Sequence, residues 1–258
     1  MMFKLFKKSG LLFILGLVTT AQAADYLSVG TAVDFSQGYY GASTKTDVLA
    51  TVAQIKYKTS DFSVQLSLPY LFMSGSQYSI SSNSTLATST GSSQRATREG
   101  VGDAILGATY NAFYFDKYQL AVDLGFKLKI PTASHHDGLG TGEPDETLQL
   151  YVYKGIDDFT LIAGGGYKWL GQSATVKYRD VANIMAGLNY QISNATSLGS
   201  FFDARQSVFS ELNHQAEITV YGTHKFSPAW NSQLYFYKGI TNSSPLFGVG
   251  LSLNYRFW

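Results

Sequence analysis

The sequence predicts an all-β fold: a transmembrane, antiparallel, up-and-down β-barrel of about twelve strands, with short periplasmic turns and long extracellular loops. Three observations predict it. Apolar and polar residues alternate with a period of two along one segment after another, which sends one set of side chains to each face of a strand. The connections between segments alternate between long and tight. Charged residues make up only 14% of the chain and aromatic ones 15%, whereas ordinary soluble domains are roughly 25% charged.

The clearest strand ends the chain. Phe247, Val249, Leu251, Leu253, Tyr255 and Phe257 alternate with Gly248, Gly250, Ser252, Asn254 and Arg256. A barrel needs such a strand to close against its first, because each unpaired backbone group in hydrocarbon costs several kcal/mol. From the N-terminal side, strands are expected near 26–35, 47–58, 61–72, 101–115, 118–130, 146–156, 159–170, 175–191, 196–206, 213–226, 229–240 and 246–258. In the fifth, Tyr118, Leu120, Val122, Leu124, Phe126, Leu128 and Ile130 oppose Gln119, Asp123, Gly125, Lys127 and Lys129. Pro69 removes one ladder hydrogen bond from the third strand and is expected near a rim or a bulge. The triplet Gly164-Gly165-Gly166 in the seventh is expected to mark a bend or close packing.

Alternation alone fits a soluble sandwich as well, since both have one apolar face. The connections separate them. Long ones fall at 36–46, 73–100, 131–145, 170–175, 207–212 and 241–245; tight ones at Thr59-Ser60, Asp116-Lys117, Asp157-Asp158, Ser193-Asn194 and Ser227-Pro228. An even strand count returns both ends to the periplasmic side. Beside the tight turns the apolar set supplies Tyr57, Phe62, Tyr114, Tyr118, Phe159, Tyr190, Phe226, Trp230 and Phe257, an expected girdle at the lipid–water boundary. The segment 74–100, rich in Ser and Thr, is too polar to bury and is expected as an external loop.

The N-terminus sets the compartment. Lys4, Lys7 and Lys8 precede an apolar run from Gly10 to Val18 and the cleavage-like Ala21-Gln22-Ala23, the pattern of a secretory signal peptide. Residues 1–23 are therefore expected to be cleaved, leaving 24–258 as a single barrel in the Gram-negative outer membrane. Loss of those three lysines leaves 16 basic against 18 acidic residues, a balance that predicts no nucleic-acid partner. There is no cysteine, so neither disulfides nor thiolate chemistry is expected. Expected partners are outer-membrane lipids and lipopolysaccharide, the barrel assembly machinery and a small-molecule solute.

Pore-lining candidates are Asp123, Lys127, Lys129, Tyr151, Tyr153, Asp203, Arg205, Glu217, Tyr235 and Tyr237. The tyrosines would offer a greasy wall with polar tips, the charged groups a wet wall of both signs. His135, His136 and Asp137 sit in a loop expected to be solvated; a metal site would need ligands converging from elsewhere, and none is expected. No cofactor is expected, nor an enzyme: a lipase-like site needs a Ser and a third group around a His, and nothing singles out such a set.

Three stretches, Gly100 to Tyr110 (GVGDAILGATY), Leu124 to Thr132 (LGFKLKIPT) and Gly138 to Asp145 (GLGTGEPD), follow one another in an order that resembles the outer-membrane transporter family named for the meta-pathway of phenol degradation. The resemblance is strongest over residues 100–170. It implies a barrel that helps small hydrophobic or aromatic compounds across the outer membrane, with no catalytic set. Ala133 stands where the family usually has glycine, the 74–100 loop is longer, and Trp258 is one residue out of step with the usual terminal assembly signal. The expected function is an outer-membrane channel for small hydrophobic or aromatic molecules. The alternatives are a closed structural or adhesive barrel acting through its loops, or a barrel hydrolase.

Overall fold

Alternating residues form strands throughout the computed structural model, which describes residues 25–75, 79–80, 87–88, 96–172, 177–210 and 212–257. The strands are β1 (Tyr26–Gly38), β2 (Thr46–Lys58), β3 (Phe62–Gly75), a two-residue ribbon of β4 (Ser79–Ile80) with β5 (Ala87–Thr88), β6 (Ala96–Val101), β7 (Ala104–Phe115), β8 (Leu120–Ile130), β9 (Asp145–Ile156), β10 (Phe159–Leu170), β11 (Val181–Gln191), β12 (Thr196–Arg205), β13 (Gln215–Lys225), β14 (Trp230–Gly239) and β15 (Pro245–Arg256). β6 and β7 both pair with β3 and form two halves of one wall strand, so the barrel has twelve strands. Every pairing is antiparallel, and every one but the seam joins wall strands that are neighbours in sequence. At the seam β1 pairs with β15 from Ser28↔Arg256 to Gly38↔Pro245, which closes the sheet and leaves no edge in lipid.

The break between β6 and β7 falls beside Pro69. β3 pairs with β7 as far as Ser67↔Ile105 and with β6 from Tyr70↔Val101, so the residue without an amide hydrogen sits where its neighbour strand is interrupted. Gly102 donates its N–H to the Pro69 carbonyl across the gap.

Three of the tight turns share one device. The hydroxyls of Thr59, Ser193 and Ser227 each accept two backbone amides from the residues that follow, at 3.1–3.3 Å. The turn after β9 uses Asp157 at φ 50°, the left-handed conformation a two-residue hairpin requires. After β7 the chain makes a short 3-10 turn at Asp116–Tyr118, with Gln119 left-handed, so β8 starts at Leu120 rather than at 118. β11 likewise starts at Val181, later than the sequence pattern implied.

Leu66, Leu124, Leu150, Leu161, Ile218 and Leu251 point outward from six different strands and are exposed, as a lipid-facing band requires. Near the tight turns Tyr57, Phe62, Tyr118, Phe159, Tyr190, Phe226, Trp230 and Phe257 are also exposed, and Phe159 packs against Tyr190 with ring centroids 4.7 Å apart.

Tyr114 departs from its expected place in that girdle. The register slips between Asn111 and Phe113, so Asn111 pairs with Asp123 while Phe113 pairs with Val122. One extra residue in the strand reverses the faces beyond it. Phe113 (61% exposed) and Phe115 (47%) take the outward positions. Tyr114 stands opposite Ala121, which packs against the inward Tyr151–Tyr153–Ile162 cluster.

The loop at 131–144, expected to be solvated, also departs. Its middle folds into the long-loop end of the barrel, where Leu139 (1% exposed) and Ala133 pack on the inward Val48, Leu71 and Met73.

Candidate functional site

The site to consider is the enclosed interior, where most of the buried polar and charged side chains gather. Its upper half, toward the long loops, is an ion-pair network. Lys129, 1% exposed, reaches Asp145 at 3.0 Å and Asp103 at 3.5 Å, and Lys168 reaches the same Asp145 oxygen at 3.0 Å. Lys129 also donates to the Thr141 hydroxyl at 2.8 Å, Asp103 accepts the Ala133 amide at 3.1 Å, and Arg98 donates to the Gly138 carbonyl at 3.0 Å. The inserted loop is thus held by charge-assisted bonds on one side and by Leu139 on the other. Removing one partner of a buried pair strands the remaining charge, at a cost of about 3–5 kcal/mol.

The four candidate tyrosines all face inward and are buried, but their surfaces are committed to the wall. Tyr235 and Tyr237 stack with centroids 6.1 Å apart, and both hydroxyls donate to Asp34, at 2.6 and 3.0 Å. Their rings lie flat over Gly250 and Gly248, where a Cβ would come within 2.1 Å of each ring. Tyr237 is 0% exposed. Tyr151 and Tyr153 pack with Ile162, Ala121 and Met185. Gly164 and Gly166 make room for their neighbours in the same way: a Cβ on Gly166 would meet the Gln149 amide at 2.4 Å. Close packing is therefore what the glycine triplet provides.

Other inward groups remain partly exposed: Asp34, Gln54, Lys56, Lys127, Lys168, Asp203 and Arg205. Asp203 pairs opposite Glu217, and Arg205 donates to Gln215. Glu217 and Asp123 are buried, and Asn111 donates to Asp123 at 2.9 Å. A belt of neutral amides runs from Gln65 through Gln54 and Asn254 to Asn231, with links of 3.1, 2.6 and 3.2 Å. In the upper half five bases (Arg98, Lys127, Lys129, Lys168 and Arg205) face five acids (Asp34, Asp103, Asp145, Asp203 and Glu217).

The interior therefore brings together all ten lumen candidates, in two kinds of setting. Lys127, Asp203 and Arg205 are partly exposed; the four tyrosines, Asp123, Lys129 and Glu217 are buried. The sequence reading missed the part the loop plays, because nothing in its period or composition says that Leu139 and Thr141 turn inward. Lys58 was missed too, although it shares the phase of Lys56 and that alone would have found it. His135 and His136 are exposed on the loop, and the outward-facing His224 bonds Thr196 at 2.9 Å. Among the described residues no His, Asp or Glu cluster is arranged to hold a metal ion.

No family model matches the chain, and no curated protein does. Its fold is similar to that of an outer membrane channel from Pseudomonas putida F1, with a TM-score of 0.72 over 92% of this chain and 97% of that one at 15% identity. The chain folds as an outer-membrane β-barrel. The KdgM porin (TM-score 0.54, 10% identity, 90% of this chain and 99% of that one) has the same kind of fold. So does the translocator domain of the autotransporter NalP from Neisseria meningitidis (0.55, 12% identity, 91% and 89%). At these identities the likeness establishes architecture, and the interior has to supply the rest.

Proposed function

We propose that this protein is an outer-membrane channel through which small molecules diffuse, its tight turns in the periplasm and its long loops outside. One observation carries the reading: charged and amide side chains on opposing walls, from Asp34, Gln54 and Lys56 across to Lys168, Asp203 and Arg205, are only partly covered by their neighbours inside a closed barrel. A plug built for stiffness alone would bury them. The likeness to a solved outer membrane channel supports the same reading.

The resemblance to the phenol-degradation family favours hydrophobic or aromatic solutes, but of the tyrosines that could have offered a greasy wall Tyr235 and Tyr237 are buried against glycine and Asp34, and Tyr151 and Tyr153 against Ile162, Ala121 and Met185. The solute favoured by this lining is a small aromatic molecule that carries a polar or ionised substituent. Planar-bilayer recording with the purified mature protein is the test. Discrete conductance steps are expected; a silent bilayer together with no solute entry into proteoliposomes would favour a closed barrel acting through its loops.

A further inference from the structure

Charge inside the barrel is unevenly distributed along its axis. In the upper half the signs balance, and Lys129 and Lys168 are ion-paired with acids. At the periplasmic end, Lys58, Lys225 and Arg256 face inward from β2, β13 and β15, with Lys56 one inward step above Lys58. The register gathers them. Arg256 and Lys56 flank Ser28 on either side of β1, and Lys225 is opposite Asn231, which is opposite Asn254, one inward step from Arg256. Lys58 lies within electrostatic reach of Lys56, Arg256 and Asp123, and Lys225 within reach of Arg256. Asp123 is the one acid among the described residues that faces this group from the wall. The Arg256 guanidinium is seated 4.5 Å above the Tyr26 ring, which holds it at the rim.

A network serving stability would place acids here, as the upper half does for Lys129 and Lys168. Apart from Asp123 the neighbouring inward positions are neutral (Ser28, Ser63, Thr223 and Asn231), and among the described residues no ion pair is found for Lys56, Lys58 or Lys225. Rings of Lys and Arg at a pore favour anions and repel cations, and low-dielectric walls focus the field of such a ring into the lumen. The acids of the nearby turns, Asp61, Asp116, Asp157 and Asp158, are exposed. Salt screens exposed charges such as these beyond about 10 Å.

We propose that this basic ring makes the channel anion-selective and that it admits small carboxylate-bearing solutes. The inference rests on the channel reading and narrows its solute class. The test is the reversal potential of the reconstituted protein in a KCl gradient, joined to proteoliposome entry of benzoate against benzylamine. Expected are a severalfold preference for chloride over potassium and faster entry of benzoate. Lys58→Gln combined with Lys225→Gln should carry the reversal potential toward zero, while Lys117→Gln, in an exposed turn, leaves it in place. Should the double variant fail to fold, Lys225→Gln alone should give part of the shift. Equal or cation-favouring permeability in the unaltered protein would overturn the proposal, as would folded variants with an unchanged reversal potential. Absence of any current is a different result: it would remove the channel reading, and this inference along with it.

Discussion

Residue by residue, the face that a side chain takes follows from its parity along the strand, and parity was readable wherever the strand is regular. Along β8, Leu124 and Phe126 face lipid while Asp123 and Lys129 are buried inside, as alternation requires. The same rule failed at Tyr114 for a local reason: one bulged residue near Asn111 turned every later side chain of β7 over, and no composition signal marks such an insertion. Parity also says nothing about whether an inward ring will be bare or covered. Tyr235 and Tyr237 have the right phase for a pore wall, yet Gly248 and Gly250 let them lie flat and Asp34 takes both hydroxyls. The assignment of faces has a direct mutational consequence. Leu124→Arg places a charge in the lipid-facing band and should cost about 2–4 kcal/mol of unfolding free energy. Lys127→Ala, on the partly exposed inner face, should cost under about 1 kcal/mol. Denaturant titration of the two variants in lipid vesicles compares them, and a reversed order would mean that the faces are exchanged.

For the elements, the strands were legible and the long connections were not. A strand announces itself by period, but a loop gains or loses its place through contacts with distant residues. The segment 131–144 shows this. Its glycines and its histidines suit a solvated turn, and His135 and His136 are indeed exposed, whereas Leu139 and Thr141 turn inward because Met73, Leu71 and Lys129 offer them partners. Those partners lie on β3 and β8, too far along the chain for any local pattern to reveal. If this docking narrows the lumen, Leu139→Ala combined with Thr141→Ala should free the loop. The expected outcome is a higher single-channel conductance and new protease cleavage near residues 135–142, with barrel stability little changed.

On the scale of the whole molecule, architecture followed from a small number of global facts: the even strand count, the long–short rhythm of connections and the scarcity of charge. Each is a demand of the membrane rather than of the cargo, which is why the fold could be read and the solute class could not. Selectivity depends instead on how inward residues from different strands meet across the lumen. That depends on register: Lys225 and Arg256 are neighbours only because β13, β14 and β15 align as they do.

The seam between β1 and β15 has a consequence for how the protein is made. The two strands that must meet come from opposite ends of the polypeptide, so no partial barrel can satisfy its backbone while the last segment is missing. A chain stopped at residue 244 should therefore not yield a looser pore of eleven strands. It should yield no heat-modifiable species on an unboiled gel and be degraded before insertion, so biogenesis would respond to C-terminal truncation as a switch rather than a gradient.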